Sequence, residues 1–284
     1  MASEVAVAGR VVTGAAPVWD ITSATMLWVE FGGEAIHRFD PATGRDETLR
    51  LPQPVAAAHP RRRGGLALTL RDGVALLDPD GTRRWLVYWG REGILGAAAA
   101  VDHTGRLWVA TAGDGTLLRV QPDGAVLLAL QGADVSGIAF SPDATTMYLA
   151  DVAGDYIAAA DFDPQSGQVG PRRPLLPVPG GPSALCVDAE GWLWVASRVD
   201  RFGVDRFGVD SEGSTGAALH RYPPDGEPGR EVPVGSAHPT GCAFGGIRLT
   251  DLYVTAAPSR AEPAGPLLVV PDAGEGLPTP VFGG

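Results

Sequence analysis

A short apolar segment recurs six times along the chain, and five of its six copies have an aromatic residue at the centre. The copies lie at residues 27–29, 66–68, 107–109, 147–149, 193–195 and 252–254. Each is followed by a second apolar segment that ends in a turn, with a period of roughly 40 to 60 residues. A repeat of this length, with about four strands per unit, is typical of a β-propeller. The sequence therefore predicts an all-β, six-bladed β-propeller of four-stranded blades, with any ligand at the mouth of its central channel.

Because the repeat runs from one end of the chain to the other, residues 1–284 are predicted to form a single domain. The apolar segment 5–12 precedes the first repeat, and we expect it to supply the outer strand of the last blade and so close the ring. The last seven residues, 278–284, are expected to form a short tail.

Composition narrows the function classes. The net charge is −11 and no basic stripe exists beyond residues 61–63, so we expect no nucleic-acid partner. No apolar stretch reaches the length of a membrane helix and the first residues do not resemble a signal peptide, so we expect no membrane partner and a cytoplasmic protein. All 22 basic residues are Arg, which excludes a lysine Schiff base and PLP chemistry. We expect no cofactor, a small organic molecule as the only partner, and a monomer or weak homodimer.

The two cysteines, Cys186 and Cys242, both lie in apolar segments that read as inner strands. A buried free cysteine usually behaves as a small apolar residue. We therefore expect two buried thiols rather than a disulfide or a catalytic nucleophile.

Several segments together resemble the SMP-30/gluconolactonase/regucalcin family of six-bladed propellers. They are Gly14-Ala15-Ala16-Pro17-Val18-Trp19-Asp20, Gly137-Ile138-Ala139-Phe140-Ser141-Pro142-Asp143 and residues 36–44, 101–108, 187–194 and 239–246. These segments follow the family order over almost the whole chain. The resemblance implies a divalent metal on the channel axis that polarises a lactone carbonyl and activates water.

The resemblance also implies where the metal and substrate ligands would stand, and none of those positions keeps a charge or an amide here. They carry Ala15, Ala97, Ala98, Ser136 and Ser183. Ca²⁺ takes six to eight oxygen ligands, and Zn²⁺ takes imidazole, thiolate or carboxylate. The sequence therefore predicts that the metal site is lost while the pocket remains.

Other side chains are expected around the mouth. The catalytic candidates are His238 and Asp134, which we expect to form a titratable pair on the rim. The candidates for binding the substrate are Ala15, Ala16, Glu30, Trp89, Ala97, Ala98, Ser136, Asp151, Ser183, Arg198, Phe202, Phe207 and Thr240. Residues 198–213 form a long connection in which Val-Asp-Arg-Phe-Gly occurs twice, and it is interpreted either as a lid or as a duplication without a role.

Three functions remain open. The first is a metal-independent bacterial enzyme of natural product biosynthesis, of the cyclase or isomerase type, that binds an apolar substrate at the mouth. The second is the metal-dependent hydrolysis of a lactone or ester that the resemblance implies. The third is a propeller that binds a small molecule, or serves as a scaffold, without chemistry.

Overall fold

The computed structural model describes residues 2–11, 13–178, 180–197, 218–227, 229–235, 238–258 and 264–284. Within these ranges the backbone forms 24 β-strands in six separate four-stranded antiparallel sheets, each of which is one blade. Blade one contains β2 (Gly14–Asp20), β3 (Thr25–Glu30), β4 (Ala35–Asp40) and β5 (Arg45–Arg50). Blade two contains β6 (Val55–Pro60), β7 (Leu66–Leu70), β8 (Gly73–Leu77) and β9 (Arg83–Tyr88). Blade three contains β10 (Leu95–Val101), β11 (Leu107–Ala112), β12 (Thr116–Val120) and β13 (Val126–Leu130).

The second half of the ring repeats the pattern. Blade four contains β14 (Val135–Phe140), β15 (Thr146–Asp151), β16 (Tyr156–Asp161) and β17 (Arg173–Pro177). Blade five contains β18 (Pro182–Val187), β19 (Leu193–Ser197), β20 (Leu219–Tyr222) and β21 (Arg230–Val232). Blade six contains β22 (His238–Gly245), β23 (Asp251–Ala257), β24 (Gly265–Val270) and, from the start of the chain, β1 (Glu4–Val11).

The inner strand of each blade contacts the inner strands of its two neighbours, and β22 contacts β2, so the ring is closed. The sequence prediction of a six-bladed β-propeller is confirmed. We call the face at which the inner strands begin the upper face, and the face at which they end the lower face. Among the described residues, no helix has the length and apolar character needed to cross a membrane.

The N-terminal strand closes the ring as predicted. β1 pairs antiparallel with β24, with Val5 opposite Leu268 and Val7 opposite Leu267. The last blade therefore combines strands from both ends of the chain, and this pairing covers what would otherwise be a free edge of β24.

The apolar core is divided into six clusters, one between each pair of neighbouring blades. The central aromatics of the repeat lie in these clusters and are almost fully buried: Trp28, Trp108, Tyr148, Trp194 and Tyr253. Between blades five and six, for example, the ring of Trp194 meets that of Phe244 edge-on at 5.6 Å between centroids. The prediction that these residues pack between blades is confirmed.

Buried carboxylates anchor two of these aromatics at the lower face. In blade three, Asp102 accepts the indole N–H of Trp108 at 2.9 Å and the guanidinium Nε–H of Arg106 at 2.6 Å. Burial acts to raise the pKa of Asp102, but the hydrogen bonds that it accepts outweigh burial and hold the pKa below its ordinary value. Asp188 and Trp194 repeat the arrangement in blade five at 3.0 Å.

Both cysteines are free thiols, as predicted. Cys186 of blade five and Cys242 of blade six face each other across the blade boundary, with 3.5 Å between their sulfur atoms. The hydrogen bond to Cys242, together with burial, raises the pKa of the Cys186 thiol well above its ordinary value. A thiol of this kind stays protonated and is a poor nucleophile.

The C-terminal segment does more than form a short tail, because it crosses the lower face. Gly276 forms a β-bridge with Asp188 of blade five, and Phe282 donates its backbone N–H to Pro60 O of blade two at 2.9 Å. Since blades two and five lie on opposite sides of the ring, the segment spans the lower end of the channel. The Phe282 ring is fully buried between blades two and three. A single Phe between Val281 and Gly283 carries no periodic signal, so the sequence did not indicate this packing.

We expect Phe282→Ala to destabilise the protein by roughly 3–5 kcal/mol, because it leaves a cavity between two blades and removes the anchor of the crossing segment. The measurement is the free energy of unfolding from urea titration. Phe31→Ala is the matched control, since Phe31 is 63% exposed and its loss should cost little. Equal effects of the two substitutions would show that the segment does not contribute to stability.

His59 should make the protein less stable in mild acid. Burial lowers the pKa of His59 to about 4, whereas the unfolded chain has a histidine pKa near 6.5. Between these values the unfolded state binds a proton that the folded state does not, so stability falls as the pH decreases from 6.5 towards 4. The contribution of this group is up to about 3 kcal/mol.

The check is the slope of unfolding free energy against pH in this window. His59→Gln should reduce the slope, while His103→Gln, at an exposed position, should leave it unchanged. An unchanged slope in His59→Gln would contradict the assignment.

Candidate functional site

The six inner strands share a register shift of the β-bulge type near their upper ends. In blade two, for instance, Ala56 has no cross-strand partner between the pairs Val55–Leu70 and Ala57–Thr69. The bulged residues are Ala16 with Pro17, Ala56, Ala97, Ser136, Ser183 and Thr240. Ala16 and the five bulge residues of the other blades are half-buried. A bulge re-aims a side chain and is frequent next to functional sites, so the six bulges define a ring at the upper mouth of the channel.

The bulged residues of blades four, five and six carry hydroxyl groups, and each hydroxyl donates a hydrogen bond to the following blade. The pairs are Ser136 Oγ to Pro182 O at 3.0 Å, Ser183 Oγ to Pro239 O at 3.2 Å, and Thr240 Oγ1 to Gly14 O at 2.5 Å. Ser183 Oγ also lies 3.0 Å from Ala196 O of its own blade. We call these three side chains the hydroxyl relay (Ser136, Ser183 and Thr240). It ties blades four, five, six and one together at the mouth.

The relay has a defined hydrogen-bonding polarity. A hydroxyl group has one proton to donate, and here that proton is engaged by a backbone carbonyl. The oxygen atoms therefore remain available as acceptors. They can receive O–H or N–H groups from a ligand, but they cannot polarise a carbonyl without giving up a bond between blades.

The opposite half of the mouth is apolar. Blades one to three place Ala16, Ala56 and Ala97 at the bulge, where no hydroxyl can continue the relay. In blade six, Thr255 lies 3.1 Å from the hydroxyl of Thr240. The equivalent residue of blade two is Thr69, whose buried hydroxyl has no hydrogen-bond partner within the described ranges. The mouth is thus divided into an acceptor half and an alanine half.

Blade one departs from the others in its backbone. Ala16 adopts a positive φ of 47°, in the left-handed region that costs a residue with a Cβ atom roughly 1–2 kcal/mol. Ala15, the residue before it, is half-buried and pairs with Val29.

The two predicted catalytic residues both lie on the upper rim, but they are not neighbours. Asp134 is exposed, and its backbone carbonyl accepts the N–H of Val152 at 2.8 Å. His238 is half-buried and begins β22 opposite Ala257. Since Asp134 precedes the inner strand of blade four and His238 begins that of blade six, blade five stands between them. Each lies two residues before a member of the relay.

Two predicted acidic residues lie at the upper ends of second strands. Asp151 is buried, with its carboxylate 2.8 Å from Nη1 of Arg172 and accepting the backbone N–H of Gly154 at 3.0 Å. Burial and the nearby Asp151 raise the pKa of Tyr156, which donates its hydroxyl to that carboxylate. The charge of Asp151 is therefore compensated by Arg172, and its carboxylate holds the loop at Gly154. Glu30 is half-buried and pairs with the backbone of Gly14.

Of the aromatic residues predicted near the mouth, the structure describes Trp89. Trp89 is half-buried, and its indole N–H donates to Arg71 O at 3.1 Å, which fixes the ring against blade two. Arg198, Phe202 and Phe207, together with the rest of the connection 198–213, lie outside the described residues.

Sequence reasoning missed Ala56 and Asp114. Alignment of the six repeats places Ala56 at the bulge of blade two. Asp114 lies in the upper loop of blade three and accepts the hydroxyl of Thr111 at 2.6 Å. Burial acts to raise the pKa of Asp114, but hydrogen bonds from Thr111 and Thr116 outweigh it and lower the pKa. The Asp-Gly turn was the available signal for this residue.

Comparison with known proteins decides the family. The family model described as SMP-30/Gluconolactonase/LRE-like region matches residues 13–258. The chain belongs to this family. A 6-deoxy-6-sulfogluconolactonase of Pseudomonas putida is 30% identical, over 86% of this chain and 83% of the relative. A regucalcin of Xenopus laevis is 27% identical, over 86% and 83%. The solved structure of a luciferin-regenerating enzyme has a TM-score of 0.85 at 22% identity and covers 97% of this chain and 96% of its own.

The metal that the SMP-30/gluconolactonase/LRE-like family implies does not fit the residues described here. The ligand positions inferred from the resemblance carry Ala15, Ala97, Ala98, Ser136 and Ser183, and both serine hydroxyls are engaged in the relay. Within the described ranges, no three His, Cys, Asp or Glu residues converge in a way that could hold a metal ion. Two neutral hydroxyls supply neither the charge nor the number of oxygens that Ca²⁺ requires.

We therefore expect calorimetric titration with Ca²⁺ or Zn²⁺ to show no site tighter than about 1 mM, and EDTA to leave the melting temperature unchanged. The triple variant Ala15→Glu, Ser136→Asn and Ser183→Asp serves as a positive control, because it places carboxylate and amide oxygens at the mouth. Stoichiometric micromolar binding by the unaltered protein would overturn the expectation.

Proposed function

We propose that the protein hydrolyses a lactone or a related cyclic ester at the upper mouth of the channel. The observation that carries the proposal is the ring of six bulges around the mouth of a chain that belongs to this family. A 30% identical relative is a 6-deoxy-6-sulfogluconolactonase. The comparisons favour hydrolysis over the cyclase or isomerase reaction that the sequence first suggested.

The shape of the propeller supports binding from above. The C-terminal segment covers the lower end of the channel, with Phe282 buried between blades and Gly283 bonded to Gly105 O. A substrate therefore enters at the ring of bulges. Its hydroxyl groups would face the relay as donors, and its hydrocarbon edge would face the alanines of blades one to three.

His238 is the proposed general base. In ester hydrolysis a water oxygen forms a bond to the carbonyl carbon, the ring C–O bond breaks, and the water proton moves to the leaving oxygen by way of the base. His238 begins β22 two residues before Thr240 of the relay, and an imidazole side chain is a frequent general base in ester hydrolysis. We propose Asp134, on the other side of blade five, as a second acid–base group for the same substrate.

The proposal is tested by hydrolysis of a lactone panel. His238→Ala should lower kcat/KM at least tenfold, and His103→Ala, on the lower face, should not change it. Asp134→Ala should also lower kcat/KM at least tenfold. If purified protein hydrolyses no lactone, or if His238→Ala retains full activity, the corresponding assignment is wrong.

Four matched γ-lactones test how the two halves of the mouth are used. They are γ-butyrolactone, its α-hydroxy derivative, its β,β-dimethyl derivative, and the compound with both substituents. The hydroxyl should lower KM through the relay, and Ser183→Ala should remove that advantage, while Ser141→Ala, at a half-buried hydroxyl near the lower face, should keep it. Equal KM values for all four lactones would contradict this assignment of the two halves.

A further inference from the structure

A cavity of about 540 Å³ lies in the cleft between blades one and two, and its lining includes none of the bulge residues. The outer strand β5, the segment that follows it and the turn between β8 and β9 form its walls. We call it the arginine cleft, defined by Arg38, Arg50 and Arg83 on its walls and Leu49, Leu51 and Leu66 on its floor. It takes no part in the proposed hydrolysis.

Positive charge in the arginine cleft is only partly compensated. Asp78 is the acidic residue of the lining, and its carboxylate is already bound to the buried guanidinium of Arg61 at 2.5 Å. Arg38 lies 3.7 Å from Asp20. Neither Arg50 nor Arg83 makes an ion pair with any residue that the structure describes.

The part of the chain that forms the arginine cleft lacks the acidic excess of the rest. The whole protein has 33 acidic and 22 basic residues, so acidic partners are plentiful. Residues 14–90, which span blades one and two, contain nine Arg and nine Asp or Glu, and the net charge of −11 is carried by the remainder. Guanidinium groups around one cavity repel each other, and a bound anion would relieve that repulsion.

The chemistry of the walls and floor defines the ligand. The planar guanidinium fork donates two parallel hydrogen bonds to an oxyanion, and this geometry suits phosphate. The floor is apolar, and Leu49 is 43% exposed, so an organic group attached to the anion would cover it. We propose that the arginine cleft binds a dianionic phosphate monoester that carries an apolar group.

Calorimetric titration with phenyl phosphate tests the proposal. We expect saturable 1:1 binding, at least fivefold weaker binding of inorganic phosphate, and none of benzyl alcohol, which lacks the anion. Phthalate supplies a dicarboxylate of similar size and should bind more weakly than phenyl phosphate. No saturation by phenyl phosphate below about 10 mM, or tighter binding of phthalate, would overturn the proposal.

Matched variants locate the site. The double variant Arg50→Ala and Arg83→Ala should bind phenyl phosphate at least tenfold more weakly. Arg45→Ala is the control on the same strand, since Arg45 is outside the lining and pairs with Glu47 at 3.2 Å, and it should bind within twofold of the unaltered protein. Equal losses in both variants would show a general charge effect and overturn the site. Leu49→Asn should reduce the advantage of phenyl phosphate over inorganic phosphate, and an unchanged ratio would overturn the role of the floor.

Discussion

Packing between blades holds this structure together, because a four-stranded sheet of short strands has no core of its own and buries its faces against its two neighbours. Each of the six clusters is built from two blades, and the large aromatics Trp108 and Trp194 are fully buried at such boundaries. This arrangement requires a closed ring, since an open one would expose two apolar faces. The pairing of β1 with β24 and the crossing of the C-terminal segment both serve that requirement.

Ring closure also fixes where chemistry can occur. The inner strands line the axis, and their bulges bring one residue from each blade to the upper mouth. Ring geometry determines the position of these residues, whereas the side chain at each position is free to vary. In this chain Ser136, Ser183 and Thr240 are engaged in bonds between blades, so groups at the mouth contribute to holding the ring as well as to shaping the pocket.

The sequence predicted the architecture well because its determinants are local. An apolar segment recurs in each blade, a Pro-Asp-Gly turn follows in three of them (79–81, 122–124 and 224–226), and the N-terminal apolar segment has an evident place in the last blade. The hydroxyl relay was not predictable in this way, since Ser136 and Pro182 are 46 residues apart. The same holds for the ion pair between Asp151, at the end of β15, and Arg172, which are 21 residues apart. Asp134 and His238 were expected as a pair on the rim, and sequence alone did not show that blade five separates them, so their catalytic roles stay predictions.

The C-terminal segment has a consequence for the traffic of molecules through the channel. With Phe282 and its neighbours across the lower face, the proposed substrate and its product would share the upper mouth of the channel. A product formed near the ring of bulges would leave by the path that the next substrate takes, so the two molecules would compete for the same space. The rate of turnover would then depend on how quickly the product is released from the upper mouth.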